Sequence, residues 1–193
     1  MKTQGFTLME LAVVLAIISI LAAVMTPVVI NYVDQARVVR ATGDLKVIAD
    51  AVRLHQRDTG RYPIYANTTT AGTDTAAAHM LVGPGSPPSS SGWGAFTTST
   101  DLALSLNQNP LGLVTGTTVS LGRVAYRGPY IGAFDTDPWG YRYVVTATNL
   151  TRSSSNWAFV ISAGPDGTLS TNPSQANTTT FAAAGDDLVA IIK

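Results

Sequence analysis

The chain opens on an apolar run from Phe6 to Ile30, interrupted by Thr7, Glu10, Ser19, Thr26 and Pro27. In a helix, at about 1.5 Å per residue, a run of this length spans a hydrocarbon layer of roughly 30 Å. Leu, Ala, Ile and Met favour helix, and Val and Ile are tolerated in an apolar setting. Pro27 removes one backbone donor, which predicts a kink or a local opening. The tightest constraint is Glu10. A carboxylate held in lipid costs at least about 2.5 kcal/mol on the most forgiving scale, so something must compensate it. A cleaved secretory signal would use Ala22-Ala23-Val24 as its small-residue site, but Glu10 sits badly in such a core. A plain membrane anchor would keep Lys2 on the cytoplasmic side, although Arg37 and Arg40 beyond the run weigh against that orientation. In a third plain reading, Glu10 is a charge tolerated at the membrane interface.

The stretch MKTQG-FTLMEL, residues 1–11, resembles the leader and cleavage junction of type IV pilins and type II secretion pseudopilins. Phe6, Thr7, Leu8 and Glu10 fall where that family has them, and Pro27 falls at its helix proline. The resemblance implies that a prepilin peptidase cuts after Gly5 and methylates the new N-terminus at Phe6. Cleavage would leave a positive amine one helical turn from Glu10, where opposite charges can neutralise each other in lipid. That pairing can form within one chain or between neighbours. The resemblance implies the second, with Glu10 registering an adjacent subunit during assembly.

Beyond Ile30 the helix is expected to continue in amphipathic form. Leu45, Ile48, Ala49 and Val52 recur at helical spacing and predict one buried stripe. Asp34/Arg37, Arg40/Asp44 and Lys46/Asp50 stand three or four apart, each exposed pair contributing about 0.2–0.5 kcal/mol. Gly60 and Pro63 mark the stop, so one helix is expected from Phe6 to Thr59. The segment DTGRYP, residues 58–63, is similar to the run that closes this helix in major pseudopilins. His55 and His79 have no partners at metal spacing and are read as packed or solvated. Arg53, Arg57 and Arg61 are read as subunit contacts.

The whole chain of 193 residues carries 12 basic and 12 acidic side chains and no cysteine. This excludes disulfides and thiolate metal sites, and it argues against nucleic acid as a partner. Between Pro63 and Gly122 the only formal charges are Asp74 and Asp101. That stretch is rich in Thr, Ser, Gly, Ala and Pro, a composition suited to an exposed surface or a flexible loop. Residues 83–94 read as loop, 101–112 as a short helix ending near Asn107, and 117–126 as a strand. Asn67, Asn149 and Asn177 match the three-residue glycosylation pattern, which is common by chance in a Thr-rich chain. No nucleophile elbow, phosphate loop or His/carboxylate pairing is present, so catalysis is not expected.

In the last third, Asp137-Pro138-Trp139-Gly140 predicts a turn. Tyr141–Val145 should follow as a strand antiparallel to one within 157–167, with Trp139 packed on the sheet and Leu188–Ile192 as a last strand. The order GPY, DPWG, Tyr is similar to that of major pseudopilins. Asp166, Asp186 and Asp187 flank a Thr/Asn/Ser loop. With backbone carbonyls they would supply oxygen ligands of the kind calcium takes. The resemblance implies a calcium site on these three carboxylates and the carbonyl of Ala163. The plain alternative is an Asp-Gly turn and a solvated acidic pair.

These readings converge on an α+β pilin fold. Its parts are a leader over 1–5, a membrane or filament-core helix over 6–30, an amphipathic helix over 31–62, a low-charge loop region over 63–122, and a sheet with a calcium-type loop over 123–193. The resemblance implies a filament subunit, the major pseudopilin of a type II secretion system. Its partners would be copies of itself, minor pilins or pseudopilins, the prepilin peptidase and an inner-membrane assembly platform. The head would lie in the periplasm. A surface-exposed type IV pilus subunit and a monomeric membrane-anchored binding module are the other readings.

Overall fold

The computed structural model describes residues 5–59, 62, 80–90, 92–93, 100–101, 127, 129–132, 135–150 and 154–193. The leader residues 1–4, the stop at Gly60 and Pro63, Arg61, Asn67, His79 and the strand expected over 117–126 lie outside the described residues. So does the helix expected over 101–112, apart from Asp101, which is in a strand. One helix, α1, covers Leu8–Thr59. The chain divides into two compact units, 1–39 and 40–193.

In the first unit, helix residues are exposed on every side, among them Leu15, Ile18, Val24 and Ile30. By length and composition this helix can cross a membrane. The helix runs through Pro27 without a break. Ser19 and Thr26 turn their hydroxyls back onto the Leu15 and Ala22 carbonyls at 2.7 Å each, which hides both polar groups from an apolar surrounding. Arg37 pairs with Asp34 at 3.1 Å, as the spacing predicts.

The second unit has a five-stranded sheet. In chain order the strands are β1 (Met80–Val82), β2 (Ser89–Ser90), β3 (Thr100–Asp101), β4 (Tyr143–Val145), β5 (Phe159–Ser162), β6 (Thr168–Leu169) and β7 (Leu188–Ile191). The sheet order is β3-β1-β4-β5-β7, with β2 and β6 forming a separate parallel pair. The sheet is antiparallel from β1 through β7, and β3 joins β1 in parallel at one edge. The expected antiparallel partners meet in the register Val144 with Ile161 and Val145 with Val160. Three short strands, β1, β2 and β3, arise in the region read as loop. β1 is a three-residue apolar run that buries Leu81 and Val82 on joining β4.

The pleat sends alternate residues to opposite faces. Tyr143, Val145, Val160 and Ile192 pack with the helix stripe Leu45, Ile48, Ala49 and Val52, the stripe expected from spacing. Val144, Phe159 and Ile161 form the other face with Leu81, Trp93 and Leu169, joined by Trp157 and Phe181. Trp93 is buried in this layer and Trp157 packs against it half-buried, and Trp139 is also half-buried. Burying each large apolar side chain contributes about 1.5–3 kcal/mol, so these two layers dominate the stability of the unit.

Polar side chains tie the helix to the sheet. Tyr143 donates to Asp44 at 2.9 Å, and Tyr130 donates to Asp58 at 3.2 Å. Arg53 donates to the carbonyls of Ile191 and Ile192 and pairs with Asp50 at 2.9 Å. This corrects one expectation: Asp50 pairs with Arg53 rather than Lys46. Arg53 also holds the end of β7. Arg40 and Asp44 approach to 3.7 Å. His55 is buried against the edge of the Tyr130 ring, 5.4 Å between centroids.

Candidate functional site

Two places carry the residues singled out by sequence: the start of α1 and the loop between β6 and β7. At the first, Gly5 and Phe6 are exposed and precede the helix. Thr7 is its N-cap. The Glu10 Oε2 atom accepts from the Thr7 backbone N–H and from the Thr7 hydroxyl, both at 2.9 Å, and the Glu10 N–H donates to Thr7 Oγ1 at 3.3 Å. This reciprocal Thr-x-x-Glu arrangement is a capping box. It satisfies two orphan donors of the first turn and places a negative charge where the helix dipole favours one. Glu10 therefore has a partner within its own chain. Thr7 was missed as a site residue, although the Thr-x-x-Glu spacing ahead of an apolar run is the signal that identifies it. The second carboxylate oxygen, Oε1, has no hydrogen bond among the described residues.

At the second place, Ala163 is buried just after β5. Asp166 is exposed and accepts from the Thr168 N–H at 2.7 Å. Asp186 accepts from the Asp166 N–H at 3.2 Å. Asp187 is buried, and its Oδ2 accepts from the Ser170 and Thr171 N–H groups at 2.9 and 2.7 Å. Burial pushes the Asp187 carboxyl above the usual range, against the pull of those donors. Its Oδ1 is buried with no partner. That one oxygen suits a cation. The set does not: among the described residues no three carboxylate or imidazole side chains converge as metal ligands. Calcium takes six to eight oxygens, and the three aspartates instead serve as acceptors for loop N–H groups.

Two glycines hold the turn between β5 and β6. Gly164 and Gly167 have φ of 67° and 68°. A Cβ on Gly167 would collide with the Tyr141 ring, and one on Gly164 would lie 2.6 Å from the Asp186 carbonyl oxygen. The preceding DPWG turn is fixed from inside. Asp137 is buried, accepts from the Trp139 and Tyr141 N–H groups, and receives the Ser162 hydroxyl at 2.7 Å. Of the glycosylation matches, Asn149 is buried, with its amide donating to the Trp157 and Pro173 carbonyls, so it is a structural residue. Asn177 is exposed.

Residues 1–26 match the family model described as "Prokaryotic N-terminal methylation motif". The match places the methylation motif on the leader residues and the first part of the apolar helix. Over 62 residues this chain is 48% identical to the type II secretion system core protein G of Pseudomonas aeruginosa, a match covering 32% of this chain and 44% of that relative. Thus it spans less than half the length of that protein. The core protein G of Escherichia coli is 27% identical over 177 residues, 91% of each chain. That of Aeromonas hydrophila is 30% identical over 83 residues, 43% of this chain and 55% of the relative. No solved structure matches. The fold agrees with the motif: a long apolar N-terminal helix whose later part packs on a small, largely antiparallel sheet.

Proposed function

We propose that this pilin-like chain is a structural, non-catalytic subunit of a type IV pilus-like filament, the major pseudopilin of a type II secretion system. The similarity to core protein G along 91% of the chain carries the reading, because it joins the N-terminal motif to the head in one protein. The prepilin peptidase would cut after Gly5 and methylate Phe6. The anchored chain would then enter an assembly platform in the inner membrane with its head in the periplasm, and polymerise with its own copies and with minor pseudopilins.

Two features support this sequence of events. The apolar residues exposed on all sides of the first unit need lipid before assembly and neighbouring helices after it. Glu10 keeps Oε1 open while Oε2 caps its own helix. The open oxygen is the acceptor that a neighbour's methylated amine requires in a medium where an unpaired charge is costly.

Shearing of cells that produce the chain, followed by intact-mass analysis of the sheared and envelope fractions, tests the reading. Processed, methylated chain confined to the envelope is expected. Abundant processed chain in long sheared fibres would instead make it a surface pilin. Full-length chain that retains residues 1–5 would overturn the filament reading.

A further inference from the structure

The loop between β6 and β7 is long, Thr-rich and uncharged from Asn172 to Gly185, a composition that by itself predicts a flexible segment. The structure holds it at closely spaced points along its length. The Trp93 indole N–H donates to the Thr171 carbonyl at 2.8 Å, and the Asn149 amide donates to the Pro173 carbonyl at 2.6 Å. The Trp157 N–H donates to the Gln175 carbonyl and the Asn177 N–H to the Ser155 carbonyl, both at 2.8 Å. The Trp157 indole donates to the Thr179 carbonyl at 3.0 Å. Phe181 inserts edge-on against Phe159, 5.0 Å between centroids. The Ala184 N–H donates to Thr171 Oγ1 at 3.0 Å.

Gln175 sits at the centre of the loop. Its Oε1 accepts from the Ala182 N–H at 3.0 Å, and its Nε2 donates to the Ala182 carbonyl at 2.7 Å and to the Asn172 carbonyl at 3.2 Å. One side-chain amide thereby pairs with both main-chain groups of Ala182 and joins the two limbs of the loop, as a strand partner would.

We propose that this side-chain brace closes the loop in this chain without a calcium ion. The loop-closing work that a metal would do is distributed over Asn149, Trp157, Gln175 and Phe181. The three aspartates are engaged as acceptors of backbone N–H groups and do not converge. Asp187 Oδ1 is the aspartate oxygen that is buried without a partner among the described residues, whereas calcium takes six to eight oxygens gathered at one point. The inference concerns the head alone and does not rest on the filament reading.

The test uses the full-length chain in detergent micelles, stripped with EDTA or supplied with calcium. Near-UV circular dichroism follows melting, and limited proteolysis reports cleavage within residues 172–186. The expected result is one melting midpoint and one digestion pattern in both conditions. Gln175→Ala should lower the midpoint by on the order of 5 °C and open the loop to protease equally in both. A saturable rise in the midpoint with calcium, abolished by Asp187→Asn, would overturn the proposal. So would a Gln175→Ala chain that melts and digests like its parent. Should that variant fail to fold, the EDTA comparison on the unmodified chain decides alone.

Discussion

Glu10 has a local role that the structure shows and, under the filament reading, a second one between subunits. Within the chain, its carboxylate completes the Thr7 capping box. A cap of this kind contributes about 1 kcal/mol, too little to explain why a charge is kept in an apolar run. Pairing with a neighbour's amine supplies the larger reason under the filament reading. Glu10→Ala is therefore expected to leave membrane insertion intact, checked by alkaline carbonate extraction, and to abolish polymer, checked by crosslinking of subunits in the envelope. Normal polymer from that variant would contradict the role. Arg53 teaches the opposite lesson. Its charge and exposure suggest an external partner, but its guanidinium is engaged by Asp50 and by two carbonyls at the end of β7. Nothing local in the sequence shows this, because those carbonyls lie almost 140 residues away.

Among the elements, α1 and the β4–β5–β7 core were legible in advance. Helical spacing of Leu45, Ile48, Ala49 and Val52 and the runs ending at Val145, Ser162 and Ile191 are local signals with strong periodicity or composition. β1 and β3 were not, since two or three residues carry no period and gain strand form only from partners already in place. Glycines separate the same way. Gly167 has φ 68° and faces the Tyr141 ring, so Gly167→Ala should destabilise the head by about 1–3 kcal/mol. Gly43 lies exposed in mid-helix with open space where a Cβ would go. Gly43→Ala should therefore stabilise by about 0.5–1 kcal/mol. Thermal melts of both variants check the pair, and opposite signs are the expected result.

For the molecule as a whole, the joint between helix and sheet in the second unit sets the response to alkali. Burial and the Asp44 carboxylate push the Tyr143 hydroxyl well above its ordinary value, and burial raises Tyr130 as well. Both groups are neutral in the folded chain past the pH at which unfolded tyrosines ionise, about 10. Their contribution is thus fully present below that pH and is lost as pH climbs above it. Melting of the head should fall steeply on the alkaline side of pH 10, and more shallowly in Tyr143→Phe. Equal slopes in the two chains would refute the assignment. The sequence by itself determined the apolar helix, its amphipathic stripe and the central strand pair, because each is written in neighbouring residues and needs no distant partner. Only the tertiary structure decided that Arg53 and Asn149 are structural, that the sheet gains β1 and β3, and that an uncharged Thr-rich loop is held at point after point. Each of those outcomes depends on groups far apart in the chain, and a buried donor or acceptor takes whichever partner the fold brings within reach.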